Sequence, residues 1–198
     1  MAGGVRLSRA RAVAWPLLCA LATVGALLAC PADRALLSWQ PALAGTQPWR
    51  WWTAALVHWT PLHLGANLAG TLAVAALGVA AGCGPRAVAA WALAWPLSQL
   101  ALLAQPALQR YGGLSGVLHA AVAVASVQLL FGPPGRRRQV GAALLAGLLL
   151  KVASEAPWQG ALRQVPGWDL LIAPLAHAGG VAAGLLCALA LRPWRAPA

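Results

Sequence analysis

Acidic side chains are nearly missing from this chain: three Asp and Glu stand against 14 Lys and Arg in 198 residues, and charged residues of all kinds make up 9%. So little charge, beside 61% apolar residues and a mean hydropathy of +0.71, excludes a soluble domain of this length. Cysteine is scarce as well. Cys19, Cys30, Cys83 and Cys187 lie in or beside apolar stretches without ligand spacing, which argues against a zinc site or a disulfide framework and reads as small buried hydrophobes. The net charge of +11 does not point to nucleic acid, because the arginines fall between long apolar runs; that placement is membrane topology.

What the chain does have is a succession of such runs. Arg6, Arg9 and Arg11 precede Val13–Cys30, where Leu27-Leu28-Ala29-Cys30 resembles a lipoprotein cleavage box. Pro31 directly after the cysteine, and the runs that follow, favour a retained first span over a cleaved signal. Further runs fall at about 52–81, 87–104, 115–131, 140–154 and 170–191. At roughly 20 residues per crossing, the expectation is an all-α membrane protein. It consists of one six-span bundle over 13–191, with tails at 1–12 and 192–198. The N-terminus, the turns at 82–86 and 132–138 and the C-terminal tail hold nine arginines and no acid, whereas Asp33, Glu155 and Asp169 all lie in the opposite loops. The positive-inside rule therefore puts both termini in the cytoplasm. Trp39, Trp49, Trp51, Trp52, Trp59, Trp158 and Trp168 gather on the other side, as an interfacial belt would.

Polar groups inside such spans are costly without a task. Tyr111-Gly112-Gly113-Leu114-Ser115-Gly116 is a glycine-rich turn delivering one serine to the start of an apolar helix; Gly112 and Gly113 permit a tight approach and Gly116 leaves room beside the hydroxyl. At that position the serine's own amide and the positive end of the helix dipole face any developing oxyanion. His63 and Asn67, at i and i+4, share one helix face. His177, seven residues past Leu170, is expected about 10 Å below the outer boundary at ~1.5 Å per residue, with the Ser115 turn dipping to meet it. His119 lies one turn after Ser115, and Gly180 with Gly184 forms a small-xxx-small seam that brings span six against span four. Alone, Ser115 would merely hydrogen-bond the preceding turn; the company of His177, His63 and Asn67 gives it another use.

These segments, His63-x-x-x-Asn67, Gly113-x-Ser115-Gly116 and Ala176-His177-x-x-Gly180-x-x-x-Gly184, resemble the signature of rhomboid intramembrane serine proteases. Trp49-Arg50 in the first outer loop and His58 five residues before His63 are similar to that family too. The small size and Gly113-Leu114-Ser115-Gly116-Val117-Leu118-His119 are most similar to the rhombosortase branch, with Ala120 where that branch has glycine. The resemblance implies a rhomboid-like bundle with Ser115 as nucleophile and His177 as general base. It further implies His63 and Asn67 as an oxyanion hole, His119 orienting His177, and Gly113, Gly116 and Gly180 in support. No acid lies in spans four or six, so a Ser–His dyad without an orienting carboxylate is expected, and no metal or other cofactor.

The implied partners are membrane lipid and transmembrane substrates carrying a Gly-Gly C-terminal sorting helix, and no nucleic acid. The substrates would be cut near the periplasmic side of a bacterial inner (plasma) membrane, with release to water or transpeptidase-like transfer to an amine. Lys151 and Glu155, an i,i+4 pair at the outer end of span five, read as snorkelling to the interface, or else as binding a substrate tail or lipid headgroup. The 155–169 loop is positioned to cap the cavity. The alternative function is a catalytically silent rhomboid-like adaptor that binds transmembrane helices without cutting them. A proton-relaying transporter would call for internal inverted repeats, and the polar residues do not recur in the two halves.

Overall fold

A computed structural model of the chain describes residues 2–30, 32–105 and 108–192, with side chains from Val13 onward. Six longer helices are α1 (Ala2–Ala29), α4 (Pro61–Ala81), α5 (Pro85–Leu97), α6 (Ser115–Leu130), α7 (Arg136–Ser154) and α8 (Pro174–Ala190); the short α2 (Arg34–Leu37) and α3 (Arg50–Thr53) lie in the first loop. Among the described residues the only β pairing is two isolated antiparallel bridges, Trp39 with Tyr111 and Arg163 with Ile172.

Local chemistry sets the helix ends. The Thr60 hydroxyl accepts from the His63 amide and Pro61 takes the first helical position, so α4 starts there. Gly82, at φ 68°, stops it in the left-handed conformation. Arg137 then donates to the Ala80 and Ala81 carbonyls at 3.1 and 2.9 Å, a cation on a helix C-terminus. Pro85 and Pro174 open α5 and α8 in the same way as Pro61.

These starts correct two expectations. His58 precedes its helix instead of standing in the helix's first half. His177 stands in the first turn of α8, because Ile172 is engaged in its bridge with Arg163, so the depth expected from helical rise does not apply. At the N-terminus α1 runs back through residues expected as a tail; the expected C-terminal tail lies, after Arg192, outside the described residues.

By length and composition, Pro61–Ala81 and Pro85–Ala104 can cross a membrane, and Val13–Ala29, Ser115–Leu130 and Pro174–Ala190 are shorter apolar helices. The 19-residue α7 begins with Arg136, Arg137 and Arg138 and carries Lys151 in its last turn. Leu28, Leu72, Leu150 and Leu186 are exposed, while Asn67, Thr71, Gln99, Ser126 and His177 are buried. Apolar groups outside and polar groups inside is the arrangement a lipid solvent favours.

The core is built on α6, which packs against α4, α5, α7 and α8. Its partners approach at backbone distance. A Cβ on Gly180 would overlap the Gly116 carbonyl, one on Gly184 would overlap the Ala120 backbone, and one on Gly141 of α7 would lie 2.7 Å from Leu129. Two buried indoles find acceptors on neighbouring helices, Trp15 on the Val74 carbonyl at 3.0 Å and Trp91 on that of Val117 at 2.9 Å. Trp39 departs from the expected belt; it is fully buried, edge-on to Trp51 at 4.6 Å, whereas Trp49, Trp52 and Trp158 are exposed. Cys30 is likewise exposed, unlike Cys19, Cys83 and Cys187, and all four are free thiols.

Candidate active site

The turn ahead of α6 is clamped from three directions. Trp39 and Tyr111 exchange backbone hydrogen bonds at 2.8 and 2.9 Å, and the Gly113 amide donates to the Ala54 carbonyl at 3.0 Å. The Tyr111 hydroxyl donates to the Gly113 carbonyl at 3.3 Å. Glycine is required here: Gly113 has φ +133°, and a Cβ on Gly112 would lie 2.9 Å from the Val57 side chain. The loop between α1 and α4 carries the clamp. Arg50, 3% exposed, donates to the carbonyls of Ala35 and Ser38 and to Gln47 Oε1, and the Trp49 indole donates to the Leu36 carbonyl at 3.1 Å.

Held in this way, Ser115 takes the first position of α6, and its Oγ lies 2.8 Å from Nε2 of His177, itself 6% exposed. Gly116 makes the approach possible, since a Cβ there would sit 2.8 Å from the Ala176 carbonyl oxygen. His63 and Asn67 are buried on α4 and face the same turn: from a Cβ built on Gly113, His63 Nε2 is 2.6 Å away and Asn67 Nδ2 is 3.8 Å away. His63 Nδ1 accepts from the Trp59 amide, which leaves the proton on Nε2 as a donor toward the turn. The Asn67 amide uses one hydrogen on the His63 carbonyl and keeps a second. Leu114, at the N-cap of α6, supplies no side-chain hydrogen bond to the helix start. His58 sits behind His63, ring centroids 4.8 Å apart, with Nδ1 on the Leu56 carbonyl.

A carboxylate also stands at the site, against the expectation of none. Glu155, at the end of α7, brings Oε2 to 2.7 Å from His177 Nδ1 and Oε1 to 2.8 Å from Lys151 Nζ. Lys151 Nζ is also 2.6 Å from His119 Nε2 and 3.3 Å from His177 Nδ1. The pair thus turns inward instead of snorkelling, although the Lys151 side chain stays 44% exposed against 14% for Glu155. His119 Nδ1 lies 2.6 Å from the Ser115 carbonyl oxygen, and its ring stacks on His177 with centroids 4.3 Å apart and planes 9° from parallel. Burial alone would raise the Glu155 carboxyl, but the hydrogen bonds and charges of His177 and Lys151 outweigh it and bring the group down to about 2. Looking for acids only in spans four and six missed this residue; its signal was the i,i+4 pairing with Lys151 at the outer end of span five.

These groups line one cavity of about 920 Å³, with Leu118, Val122 and Leu148 among its apolar walls and Leu162, Val165 and Trp168 from the 155–169 loop over it. Arg163 braces that loop by donating to the Ser154 carbonyl, and the Thr60 hydroxyl donates to Asp169. Chemically, the cavity holds a hydroxyl bonded to an imidazole, a carboxylate behind the imidazole, and N–H donors facing the turn that bears the hydroxyl. Residues 45–194 match the family described as a rhomboid domain, a stretch that includes every one of these groups. A search of curated proteins found no match.

Proposed function

The chain belongs to the rhomboid family, and on that premise we propose that it is an intramembrane serine protease with Ser115 as nucleophile and His177 as general base. The observation that carries this reading is the 2.8 Å contact between Ser115 Oγ and His177 Nε2 in a large, mostly apolar cavity. As Oγ attacks the scissile carbonyl carbon, its proton passes to Nε2. The oxyanion so formed takes hydrogen bonds from His63 Nε2–H, the free Asn67 amide hydrogen and the Ser115 backbone N–H. Collapse breaks the C–N bond, and His177 returns the proton to the departing amine, leaving an acyl group on Ser115. A water, or an amine acceptor, deprotonated by His177 then releases it.

The surrounding topology in this reading is six spans, α1, α4, α5 with its continuation to Ala104, α6, α7 and α8, in a bacterial inner membrane. The arginine-rich turns and both termini are cytoplasmic and the cavity opens to the periplasm, with the 155–169 loop as its cap. The substrate class is transmembrane proteins, and within it the rhombosortase-like motif around Ser115 favours a Gly-Gly C-terminal sorting helix. Ser115→Ala and His177→Ala each abolish cleavage of such a reporter while the folded protein still accumulates, and a fluorophosphonate probe labels Ser115 in the parent alone. Normal function in a strain that carries only the Ser115→Ala protein, with no cleavage by the parent, would favour the silent adaptor instead.

A further inference from the structure

Resting on the protease reading, we propose that Glu155 is a positioning residue: it selects the tautomer of His177 that accepts the Ser115 proton, against the competing pull of Lys151. A carboxylate accepts and never donates, so Glu155 Oε2, 2.7 Å from Nδ1, fixes the neutral ring's proton on that nitrogen and leaves the Nε2 lone pair for the Ser115 hydroxyl. An ammonium only donates. Lys151 Nζ stands 3.3 Å from the same Nδ1 and, were it the sole partner, would drive the proton to Nε2 and leave no base beside Ser115. Glu155 wins because its contact is shorter and its other oxygen holds Lys151 at 2.8 Å. Lys151 is held from the other side by His119 Nε2 at 2.6 Å; since that nitrogen must accept, the His119 proton sits on Nδ1 and donates to the Ser115 carbonyl.

A second feature of the backbone supports this assignment. Immediately after Glu155 the chain turns through Ala156 at φ 49°, the sole non-glycine positive φ among the described residues. Such strain persists only where its surroundings enforce it. Here Glu155 and Ala156 donate their amides to the Val152 and Ala153 carbonyls, and Arg163 holds the carbonyl of Ser154. The helix end is thereby fixed with its carboxylate turned to α8.

The test uses the purified full-length protein and the second-order rate of Ser115 labelling by a fluorophosphonate, with ¹⁵N resonances of the His177 ring as a readout independent of turnover. In the parent the resonances report a proton on Nδ1. Glu155→Ala and Glu155→Gln slow labelling on the order of 10²–10⁴-fold, the range for losing an orienting partner of a catalytic base. Removing the competitor, in Lys151→Met/Glu155→Ala, restores at least about tenfold of that loss, which a merely structural role for Glu155 would not allow. If the alanine variants fail to fold, Glu155→Gln with and without Lys151→Met makes the same comparison. Labelling at the parental rate in the Glu155 variants, no recovery in the double variant, or a parental ring protonated on Nε2 would each overturn the role of Glu155. A parent that labels no better than Ser115→Ala would instead remove the protease reading itself.

Discussion

His119 and His177 lie face to face across the seam between α6 and α8, ring centroids 4.3 Å apart and planes within 9° of parallel. His119 touches His177 by its face and Lys151 by its edge, so the two contacts can be separated by substitution. His119→Phe keeps the stack and loses the edge; His119→Ala loses both. A stacked aromatic pair contributes about 0.5–1.5 kcal/mol beyond burial. Labelling of Ser115 is therefore expected to be about two- to twelvefold faster in the phenylalanine variant than in the alanine variant. Equal rates would mean that the stack does not hold His177 in place.

The seam itself tolerates almost nothing larger than hydrogen. A Cβ at Gly180 would enter the Gly116 carbonyl, where only movement of backbone can relieve it. Gly180→Ala is expected to destabilise the fold by about 1–3 kcal/mol, the usual cost of overpacking. It should also weaken labelling of Ser115, because α8 carries His177 on the same rigid segment. Gly65, with open space around its Cβ position, is the matched control: Gly65→Ala leaves both thermal unfolding and labelling near the parental values.

Much of this is legible in the amino-acid sequence. The apolar runs, the positions of Ser115, His177, His63 and Asn67, and the small-residue spacing of Gly180 and Gly184 follow from periodicity and from the cost of polar groups in lipid. Helix starts were less legible, because Thr60-Pro61 and Pro174 override the apolar pattern that runs on through Trp52 and Leu170. Glu155 reads in the sequence as snorkelling with Lys151 or binding a substrate tail or headgroup, not as a partner of His177. A carboxylate one residue beyond a helix looks like a surface group until the turn at Ala156 is known to aim it inward, and that turn has no glycine to announce it. Trp39 was misread for a similar reason: its bridge to Tyr111 is a long-range pairing with no local sign.

Asn67 presents a free amide hydrogen toward the turn that carries Ser115, and the adjacent His63 presents Nε2–H. Losing a donor used only when negative charge develops lowers kcat without altering substrate binding. Asn67→Ala is expected to reduce kcat on the order of 10²–10³-fold with KM nearly unchanged, as for loss of one oxyanion donor. The measurement is steady-state cleavage of a transmembrane reporter in liposomes. A rise in KM at constant kcat would assign Asn67 to ground-state binding.

The charge on Glu155 gives a pH dependence whose sign can be worked out. Its carboxyl is brought to about 2 in the fold from an ordinary value of 4.5, despite a burial penalty in the opposite direction. A depressed folded-state value means that ionised Glu155 stabilises the protein fully above 4.5, and that this contribution is lost as pH falls from 4.5 toward 2. The groups facing it are His177 from α8 and Lys151 from its own helix, with His119 from α6 one contact further. Glu155→Gln removes the titration, so the stability gap between parent and variant, measured by thermal unfolding in detergent, should be flat from about pH 8 to 5 and close below about 4.5. A gap that widens in acid would reverse the sign, and would mean that the folded protein holds Glu155 as a neutral acid donating to His177 rather than as the anion that accepts from it.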